Sequence, residues 1–334
     1  MTVRIGLIGA GGMGRAHLAR IAGVLSGGEI VAVADINHEA AVSAAEPYGA
    51  KAYDSADELI NDPDVDAVLI ATFGKVHAPD VIKAIEAGKY VLCEKPLATT
   101  AEDCIAIMEA EQKAGKKLVT VGFMRRFDAA YSAARERLAE GEIGDLRRVH
   151  MGTLDQAPAA REFLAASGGI FKDCLIHDFD ALRWVTGLEV EEVVVYGTDL
   201  GLPDFADFAD AAEAVLLLRL TGGVLATAHS SRFNGAGYDV RMELHGTKGT
   251  DVVGMDERLP VRSLEPGVAY PREEPWADFI ARFADCYERE LDAFLGVVSG
   301  RAPVPATIDD ALASLRIAIA CGTSLREGRP VRVS

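Results

Sequence analysis

The sequence has little of what marks a secreted, membrane-bound or nucleic-acid-binding protein. Its five cysteines are scattered without a C-x-x-C pair: Cys93, Cys104, Cys174, Cys286 and Cys321. This pattern argues against a disulfide framework or a zinc site and favours a reducing, cytoplasmic environment. Basic residues number 34 against 51 acidic ones, a formal net charge of −17. The chain therefore has no basic face to offer a nucleic acid or an anionic membrane.

Long apolar runs are also lacking. No run approaches the length of a membrane span, and Arg4 interrupts the first hydrophobic segment. We therefore expect the N-terminal segment to be a strand that enters a domain, and not a secretion signal. With 334 residues, of which 49% are apolar and 25% charged, the chain has an ordinary globular composition and enough length for two domains.

The first third of the chain alternates strand-like and helix-like patterns. Five short apolar segments are predicted to be buried strands: residues 3–9, 29–35, 65–72, 90–95 and 117–123. Four segments between them have helical spacing: residues 13–25, 38–49, 77–88 and 101–115. Strands and helices that alternate at this spacing form βαβ crossovers, so we predict a doubly wound parallel sheet.

The pattern changes after about residue 123. Residues 190–200, 212–232 and 239–253 are predicted to form an antiparallel meander, because turn residues separate them. Residues 278–300 and 307–328 are predicted to be long helices. We therefore predict a Rossmann domain over residues 1–122 and an α/β domain with a large, mostly antiparallel sheet over residues 123–334.

A glycine motif lies at the end of the first predicted strand. Gly9, Gly11 and Gly14 form G-x-G-x-x-G at the start of a helix, and glycine there permits a tight turn and close approach to a pyrophosphate. Such a motif alone also suits a plain chain reversal. Here the second strand ends in Asp35, where a carboxylate accepts hydrogen bonds from ribose hydroxyls. Because that carboxylate repels a 2′-phosphate, we predict binding of NAD in preference to NADP.

Polar residues with catalytic potential occur at two later places. Lys95 follows a predicted strand at the carboxyl end of the sheet, where open α/β sheets bind ligands, although a single lysine is more often simply solvated. At helical spacing, Asp173, His177 and Asp180 share one edge of a predicted helix, and Leu175 and Phe179 face the other way. A buried imidazole beside solvated acids is the alternative interpretation. Together with the glycine motif, the polar edge favours a catalytic cleft.

Several motifs in this order resemble one known family. G-x-G-x-x-G is followed by ATFGKVH, CEKPLA, GFMRRFD, GGIFKDCLIHDFD and GYDVRMELHGTKG. This succession is similar to that of the Gfo/Idh/MocA oxidoreductases, and within them to inositol 2-dehydrogenases. The resemblance implies NAD-dependent oxidation of a secondary hydroxyl of a cyclic polyol or sugar. It also implies a homodimer or homotetramer joined through the sheet of the second domain.

The resemblance also implies site residues. Those implied to be catalytic are Lys95, Asp173 and His177. Those implied to bind the cofactor are Gly9, Gly11, Gly12, Met13, Gly14, Asp35, Ile36, Thr72, His77, Glu94 and Lys95. Those implied to bind the substrate are Arg126, Asp155, Asp180 and Tyr238. No metal is implied.

One stretch of the sequence departs from the family pattern. Residues 153–158 read TLDQAP, where inositol dehydrogenases more usually have a basic or Asn-containing stretch, and this leaves the identity of the polyol open. We expect His177 to be the general base, since the ordinary pKa of histidine is about 6.5, with Asp173 orienting its ring.

Residues 212–220 are apolar at consecutive positions, so we expect a second subunit to cover one face of that strand. An NAD-assisted glycoside hydrolase and a non-catalytic NAD-binding sensor are the alternative functions.

Overall fold

The computed structural model describes residues 2–334, which pack into two compact units. The first unit extends to Met124 and also contains Asp285–Ala313. The second consists of Arg125–Ala284 and Ser314–Ser334. A segment from late in the chain therefore belongs to the first unit.

The first unit contains a parallel sheet. Its strands are β1 (Val3–Ile8), β2 (Gly28–Ala34), β3 (Lys51–Tyr53), β4 (Ala67–Ile70), β5 (Tyr90–Glu94) and β6 (Val119–Gly122). They lie in the order β3-β2-β1-β4-β5-β6, and every pair is parallel. The order reverses between β1 and β4, and ligands bind beyond the carboxyl ends of strands at such a switch point.

The second unit contains a mixed sheet. Its strands are β7 (Leu146–Leu154), β8 (Val190–Thr198), β9 (Glu213–Leu220), β10 (Leu225–Ser231), β11 (Asp239–Gly246), β12 (Thr250–Val253) and β13 (Val331–Arg332). They lie in the order β12-β11-β7-β10-β9-β8-β13. The β7–β10 pair is parallel and the other pairs are antiparallel. The two predicted sheet types are confirmed.

Thirteen helices are present in the described chain. The first five are α1 (Gly12–Gly23), α2 (His38–Ala45), α3 (Ala56–Asn61), α4 (His77–Glu86) and α5 (Ala101–Ala114). Five more are α6 (Ala129–Ala139), α7 (Arg161–Ser167), α8 (Ile170–Asp173), α9 (Ile176–Thr186) and α10 (Pro203–Ala206). The last three are α11 (Phe279–Arg282), α12 (Ala284–Val298) and α13 (Ile308–Glu327).

Some elements were not predicted, or were predicted with the wrong pairing. Strand β3 has three residues and α3 has six, which is too short for a periodic pattern to show. The predicted meander over residues 190–253 was wrong in its order, because β7 lies between β10 and β11. The predicted helix over residues 278–300 is interrupted at Phe283, where φ is −111° and ψ is 22°.

Helix α12 packs into the core of the first unit. Leu291 and Phe294 join the buried cluster that includes Leu7, Leu69 and Leu92 from three neighbouring strands. Burial of side chains of this size stabilises the fold by about 1.5–3 kcal/mol each. The packing therefore groups residues 285–313 with the first unit, and the functional division at residues 122 and 123 stays a prediction.

Strand β9 has one buried and one exposed face. Leu216 and Leu218 lie in the core of the second unit and are at most 2% exposed. Val215 and Leu217, which alternate with them, are 57% and 55% exposed. Within one chain, the second apolar face of this strand is therefore uncovered. None of the helices within residues 2–334 is both long and apolar enough to cross a bilayer.

Candidate active site

The glycine motif forms the loop between β1 and α1. Gly9 has a φ of +100°, a conformation that glycine adopts readily and other residues rarely do. A Cβ on Gly14 would overlap the carbonyl oxygen of Gly9, whereas a Cβ on Gly11 or Gly12 would meet nothing within 4 Å. Gly9 and Gly14 therefore permit the turn itself, whereas Gly11 and Gly12 leave an open surface above it.

The start of α1 suits an anion. Gly11 is its N-cap and provides no side-chain cap, and the first turn contains no acidic residue. The first N–H groups of a helix lack intrahelical partners and, with the helix dipole, favour a phosphate group. Met13 is half-buried in this turn. The loop and helix therefore fit the pyrophosphate of a dinucleotide, and the contact of each predicted residue with the cofactor stays a prediction.

Asp35 links the glycine loop to the end of β2. Its Oδ2 accepts a hydrogen bond of 2.8 Å from Ala10 N, and its Oδ1 accepts one of 2.9 Å from Asn37 N. Each carboxylate oxygen has a second lone pair, so ribose hydroxyls can still donate to it. Ile36 beside it is wholly exposed. The backbone thus holds the Asp35 carboxylate in a fixed orientation.

An arginine that sequence reasoning missed lies near the start of α1, next to the glycine loop. Arg15 Nε donates to Ala10 O at 3.0 Å, and Arg15 Nη2 donates to Ala40 O at 3.1 Å. The stretch after Asp35 contains no arginine, but α1 brings this one to the loop. Arg15 directly follows Gly14, and that position is the only sequence signal that could have identified it.

His77 connects two loops at the carboxyl edge of the first sheet. Its Nδ1 lies 2.9 Å from Pro96 O and its Nε2 lies 3.0 Å from Thr72 O. The ring is fully buried, and burial lowers its pKa although both carbonyls favour the charged form. The neutral ring donates to one carbonyl at a time. In this unit His77 supports the loop geometry, and its predicted contact with the cofactor stays a prediction.

Glu94 and Lys95 follow β5 at the same edge. His17 Nε2 and Glu94 Oε1 are 2.7 Å apart, and Lys95 N donates to Glu94 Oε2 at 3.3 Å. Burial would raise the pKa of Glu94, but the hydrogen bond with His17 and the charge of Lys95 lower it overall. The carboxylate is therefore ionised and hydrogen-bonded to the backbone of the predicted catalytic lysine. His17 was not predicted, because its partner is 77 residues away in the chain.

A second buried acid comes from α12. Glu290 is fully buried, and among the described residues neither of its carboxyl oxygens has a hydrogen-bond partner. Burial, and then the charge of Glu94, raise its pKa well above the ordinary value, while Arg20 opposes this effect. The Arg20 guanidinium lies 4.9 Å from the centre of the Tyr287 ring. Glu290 is therefore a neutral carboxyl in the core of the first unit.

The predicted catalytic helix of the second unit is not continuous. Asp173 ends α8, and Cys174 and Leu175 form a turn before α9 begins at Ile176. Leu175 N donates to Ile170 O, an i→i+5 bond that interrupts the regular ladder. The prediction that Asp173 and His177 lie on one uninterrupted helix was wrong, since helical spacing does not reveal such a turn.

Asp173 interacts with an arginine that was not predicted. Arg232 Nη1 donates to Asp173 Oδ2 at 3.0 Å and to Asp155 Oδ2 at 3.1 Å. Cys174 Sγ lies 3.4 Å from the same Asp155 oxygen. The structure therefore brings together one predicted catalytic acid and one predicted substrate-binding acid. His177 is in the first turn of α9 and is 8% exposed, and its orientation by Asp173 stays a prediction.

Two further acids of α9 are held by arginines. Arg126 Nε and Nη2 donate to the two oxygens of Asp180 at 2.9 and 2.6 Å. Arg125 Nη1 donates to Asp178 at 3.0 Å, and Thr153 Oγ1 donates to the other Asp178 oxygen at 2.7 Å. All five side chains are buried. Arg126 and Asp180 are thus partners of each other, and their predicted contact with substrate stays a prediction.

Tyr238 is the last predicted substrate residue. Its side chain is 5% exposed, and its backbone N–H donates to Trp276 O at 2.8 Å. Burial raises its pKa far above the ordinary value, although the charge of Arg125 opposes this effect. The hydroxyl is therefore protonated at neutral pH. Within residues 2–334, no cluster of three or more histidine, cysteine or acidic side chains is arranged to hold a metal ion.

Comparison with known proteins agrees with this geometry. Residues 3–123 match the Gfo/Idh/MocA oxidoreductase family with its NAD-binding Rossmann fold, and residues 131–251 match the Gfo/Idh/MocA C-terminal domain. The chain is 36% identical over 334 residues to inositol 2-dehydrogenase 3 of Saccharopolyspora erythraea, covering 100% of this chain and 96% of that protein. It is 34% identical to scyllo-inositol 2-dehydrogenase (NAD(+)) of Bacillus subtilis, covering 99% and 96%.

A solved structure shows the same architecture. Scyllo-inositol dehydrogenase from Lactobacillus casei, crystallised with NAD(H) and scyllo-inositol, superposes with a TM-score of 0.90 at 27% identity. The match covers 100% of this chain and 99% of that one. Together with the matched domains, the glycine loop and the two sheets, these findings show that the chain belongs to the Gfo/Idh/MocA family of oxidoreductases.

Proposed function

We propose that the protein is an NAD-dependent dehydrogenase that oxidises a secondary hydroxyl of a cyclic polyol or sugar to a ketone. The observation that carries the proposal is the acidic group in the second unit, where Asp155 and Asp173 share one buried arginine. Carboxylates accept hydrogen bonds from hydroxyl groups, and a polyol offers many of them. The glycine loop and Asp35 support NAD as the cofactor, and a reducing cytoplasm is the expected compartment.

Three side chains, together with the cofactor, carry out the chemical step. Bound NAD supplies the hydride acceptor for the hydrogen on the carbinol carbon. His177 takes the hydroxyl proton as general base, with Asp173 stabilising the imidazolium that forms. Lys95 binds the reacting oxygen and stabilises the negative charge that develops on it. The alcohol thus loses one hydride and one proton and becomes a ketone.

Net formation of NADH with a panel of inositols and sugars tests the proposal. We expect the absorbance of the reduced nicotinamide to rise with at least one neutral polyol, in proportion to the ketone formed. NAD binding without turnover of any compound would instead favour a sensor. Release of a sugar from a glycoside without net NADH would favour the NAD-assisted hydrolase.

The uncovered face of the second sheet supports a homo-oligomer. Tyr196, Val215, Leu217 and Leu225 are each more than half exposed and lie on the neighbouring strands β8, β9 and β10. An apolar patch of this kind marks an interaction surface. We expect a dimer or tetramer by light scattering at micromolar concentration, and a smaller mass after Leu217→Glu. A strictly monomeric wild-type protein would contradict the proposal.

The control for this variant is on the other unit. Val24 is 60% exposed at the end of α1, and Val24→Glu introduces the same charge far along the chain from the β-strands of the second sheet. We expect its mass to equal that of the wild type. Equal dissociation by both variants would show a nonspecific effect of the added charge.

A further inference from the structure

Arg232 is a buried charged residue to which no motif assigns a role. It directly follows β10, and its backbone N–H donates to Ala212 O at 2.9 Å. Its side chain is 2% exposed, and a buried arginine needs compensating partners. The partners that it has are the two acids described above.

The three side chains form an ordered arrangement. Arg232 Nη1 donates to Asp155 and to Asp173, while Arg232 Nε and Nη2 have no hydrogen-bond partner among the described residues. The side chains of Asp155 and Asp173 are 24% and 12% exposed. The arginine therefore lies behind the two carboxylates, and the carboxylates face outward. Arg232 acts on a ligand through these acids and does not touch it.

The electrostatics make the arginine necessary. The two carboxylate oxygens accept from the same nitrogen, so they lie within two hydrogen-bond lengths of each other. Two carboxylates this close repel each other, and a cation between them offsets the repulsion. Without Arg232, the two acids would lose both this cation and the donor that fixes their orientation.

Several other titratable groups act on Arg232 and its surroundings. Cys174, Asp173 and Asp155 all raise the pKa of Arg232, against the effect of burial. Asp210 lies in the same region. Burial raises its pKa, and Arg232 lowers it. Tyr238 stays neutral, because burial, and then the charges of Asp155 and Cys174, raise its pKa. The partly exposed carboxylates of Asp155 and Asp173 therefore lie on the outward side of Arg232.

We propose that Arg232 is the positioning residue that holds Asp155 and Asp173 as a pair of hydrogen-bond acceptors, and that this pair selects neutral polyols over sugar acids. The inference rests on the proposed function, because it names the substrate class of the same site. Hydroxyl groups donate to the carboxylate pair, whereas the same two carboxylates repel a substrate carboxylate. Asp155 lies in the TLDQAP stretch.

The test begins with the wild-type enzyme. We expect turnover of neutral compounds such as myo-inositol, scyllo-inositol or glucose, and at least tenfold lower kcat/KM for glucuronate, since like charges are repelled. Equal or better use of glucuronate would overturn the inference and leave the proposed function intact. If no compound is turned over, the proposed function fails, and the stability measurements below still test the role of Arg232.

Three variants test the positioning role. Arg232→Met keeps the length of the side chain and removes the charge, and we expect kcat/KM to fall on the order of a hundredfold. The acidic limb of the pH–rate profile, which reports His177, should move to higher pH, because the charge of Asp173 is no longer offset and favours the imidazolium. Adding Asp155→Asn to Arg232→Met removes the repulsion between the two carboxylates, and we expect it to raise kcat/KM about tenfold over that of Arg232→Met. Arg232→Lys should keep the position of the acidic limb.

Thermal unfolding gives a readout that is independent of activity. At neutral pH we expect Arg232→Met to lower the Tm and Asp155→Asn in the same chain to raise it again. Arg137, which donates to Asp251 at 2.9 Å with a half-exposed side chain, provides the matched control, and Arg137→Met should behave as wild type. Wild-type kinetics and an unchanged pH profile in Arg232→Met, or no rescue by Asp155→Asn, would overturn the inference.

Discussion

The two units of this protein hold their buried acids with different partners. In the first unit, lysines donate to Asp62 and Glu111, His17 hydrogen-bonds to Glu94, and Glu290 has no hydrogen-bond partner among the described residues. In the second unit, Asp210 accepts from backbone N–H groups, and arginines donate at 3.1 Å or less to five other buried or half-buried acids. These acids are Asp128, Asp155, Asp173, Asp178 and Asp180.

The difference suits the proposed function. The first unit offers backbone N–H groups at a helix start, which bind phosphate groups without a charged side chain. In the proposed function, the second unit presents carboxylates to hydroxyl groups, and a cation beside a buried carboxylate favours its ionised form. The arginine ion pairs of the second unit would thus maintain a set of acceptors for the substrate. Four experiments test this comparison.

The largest effect is expected from the second unit. His177→Ala should reduce kcat by on the order of a hundred- to ten-thousand-fold, because a positioned general base is lost. NAD affinity should stay close to that of wild type, since the glycine loop binds the cofactor, and the acidic limb of the pH–rate profile should disappear. Steady-state kinetics and NAD titration measure both. His229→Ala, an exposed histidine of the same unit, is the control, and near-normal turnover of His177→Ala would point to Lys95 as the base.

The next largest effect is expected from substitutions in the glycine loop of the first unit. A Cβ at Gly14 overlaps Gly9 O, so Gly14→Ala should destabilise the fold by about 1–3 kcal/mol and weaken NAD binding. Gly12→Ala meets open space, so it should leave the Tm unchanged and still weaken NAD binding through contact with the pyrophosphate. Unchanged NAD affinity in both variants would contradict a cofactor site at this loop.

The neutral acid of the first unit predicts a pH dependence of stability. Since the pKa of Glu290 is raised in the folded state, its contribution is fully present below the ordinary pKa of glutamate, about 4.3, and is lost as the pH rises toward the folded value. Glu290→Gln should therefore gain stability relative to wild type by about 1.4 kcal/mol per pH unit in that window. Denaturant unfolding at several pH values measures this.

A charge change on the same helix serves as the control for this series. Asp292 is exposed on α12, and Asp292→Asn should follow the wild-type pH dependence within about 0.5 kcal/mol. A constant difference between Glu290→Gln and wild type at all pH values would show that Glu290 is ionised in the fold.

The smallest expected effect concerns the choice of cofactor. Asp35→Ala removes the carboxylate that repels a 2′-phosphate, and we expect the NAD/NADP ratio of kcat/KM to fall about tenfold, equivalent to about 1.4 kcal/mol. Pairing it with Ile36→Arg should lower the ratio further. Arg15 lies next to the glycine loop, where its charge would attract a 2′-phosphate. Arg15→Ala added to Asp35→Ala should therefore raise the NAD/NADP ratio again. Steady-state kinetics with both cofactors measure this ratio, and an unchanged NAD/NADP ratio in Asp35→Ala would contradict a role of Asp35 in the choice of cofactor.

Much of the fold was predictable from local patterns. The alternation of strands and helices indicated the parallel sheet, because each strand is buried on both faces and reads as an apolar run. Strand β7 was missed because its first half, Leu146–Val149, includes the exposed pair Arg147 and Arg148. Its parallel pairing with β10 joins segments that are more than 70 residues apart, and no local pattern contains such information.

The candidate site was predictable where a motif names a residue, and not where a partner comes from elsewhere in the chain. Gly9, Asp35 and Lys95 follow from motifs at strand ends. Arg232 and Glu290 act on residues 59 or more positions away, and each belongs to a segment that looks like an ordinary strand end or helix. Their roles became visible only from burial and hydrogen bonds.

Helix α12 has a consequence for how the protein is made. Leu291 and Phe294 complete the core around the parallel sheet, yet ribosomes synthesise them long after β6. During translation the apolar surface of β1, β4 and β5 therefore leaves the ribosome without its final cover, while domains generally fold as complete units. Emergence of α12 from the ribosome is the event that allows the parallel sheet to complete its core. Nascent chains that stop short of α12 should accordingly depend on chaperones that bind exposed apolar surface.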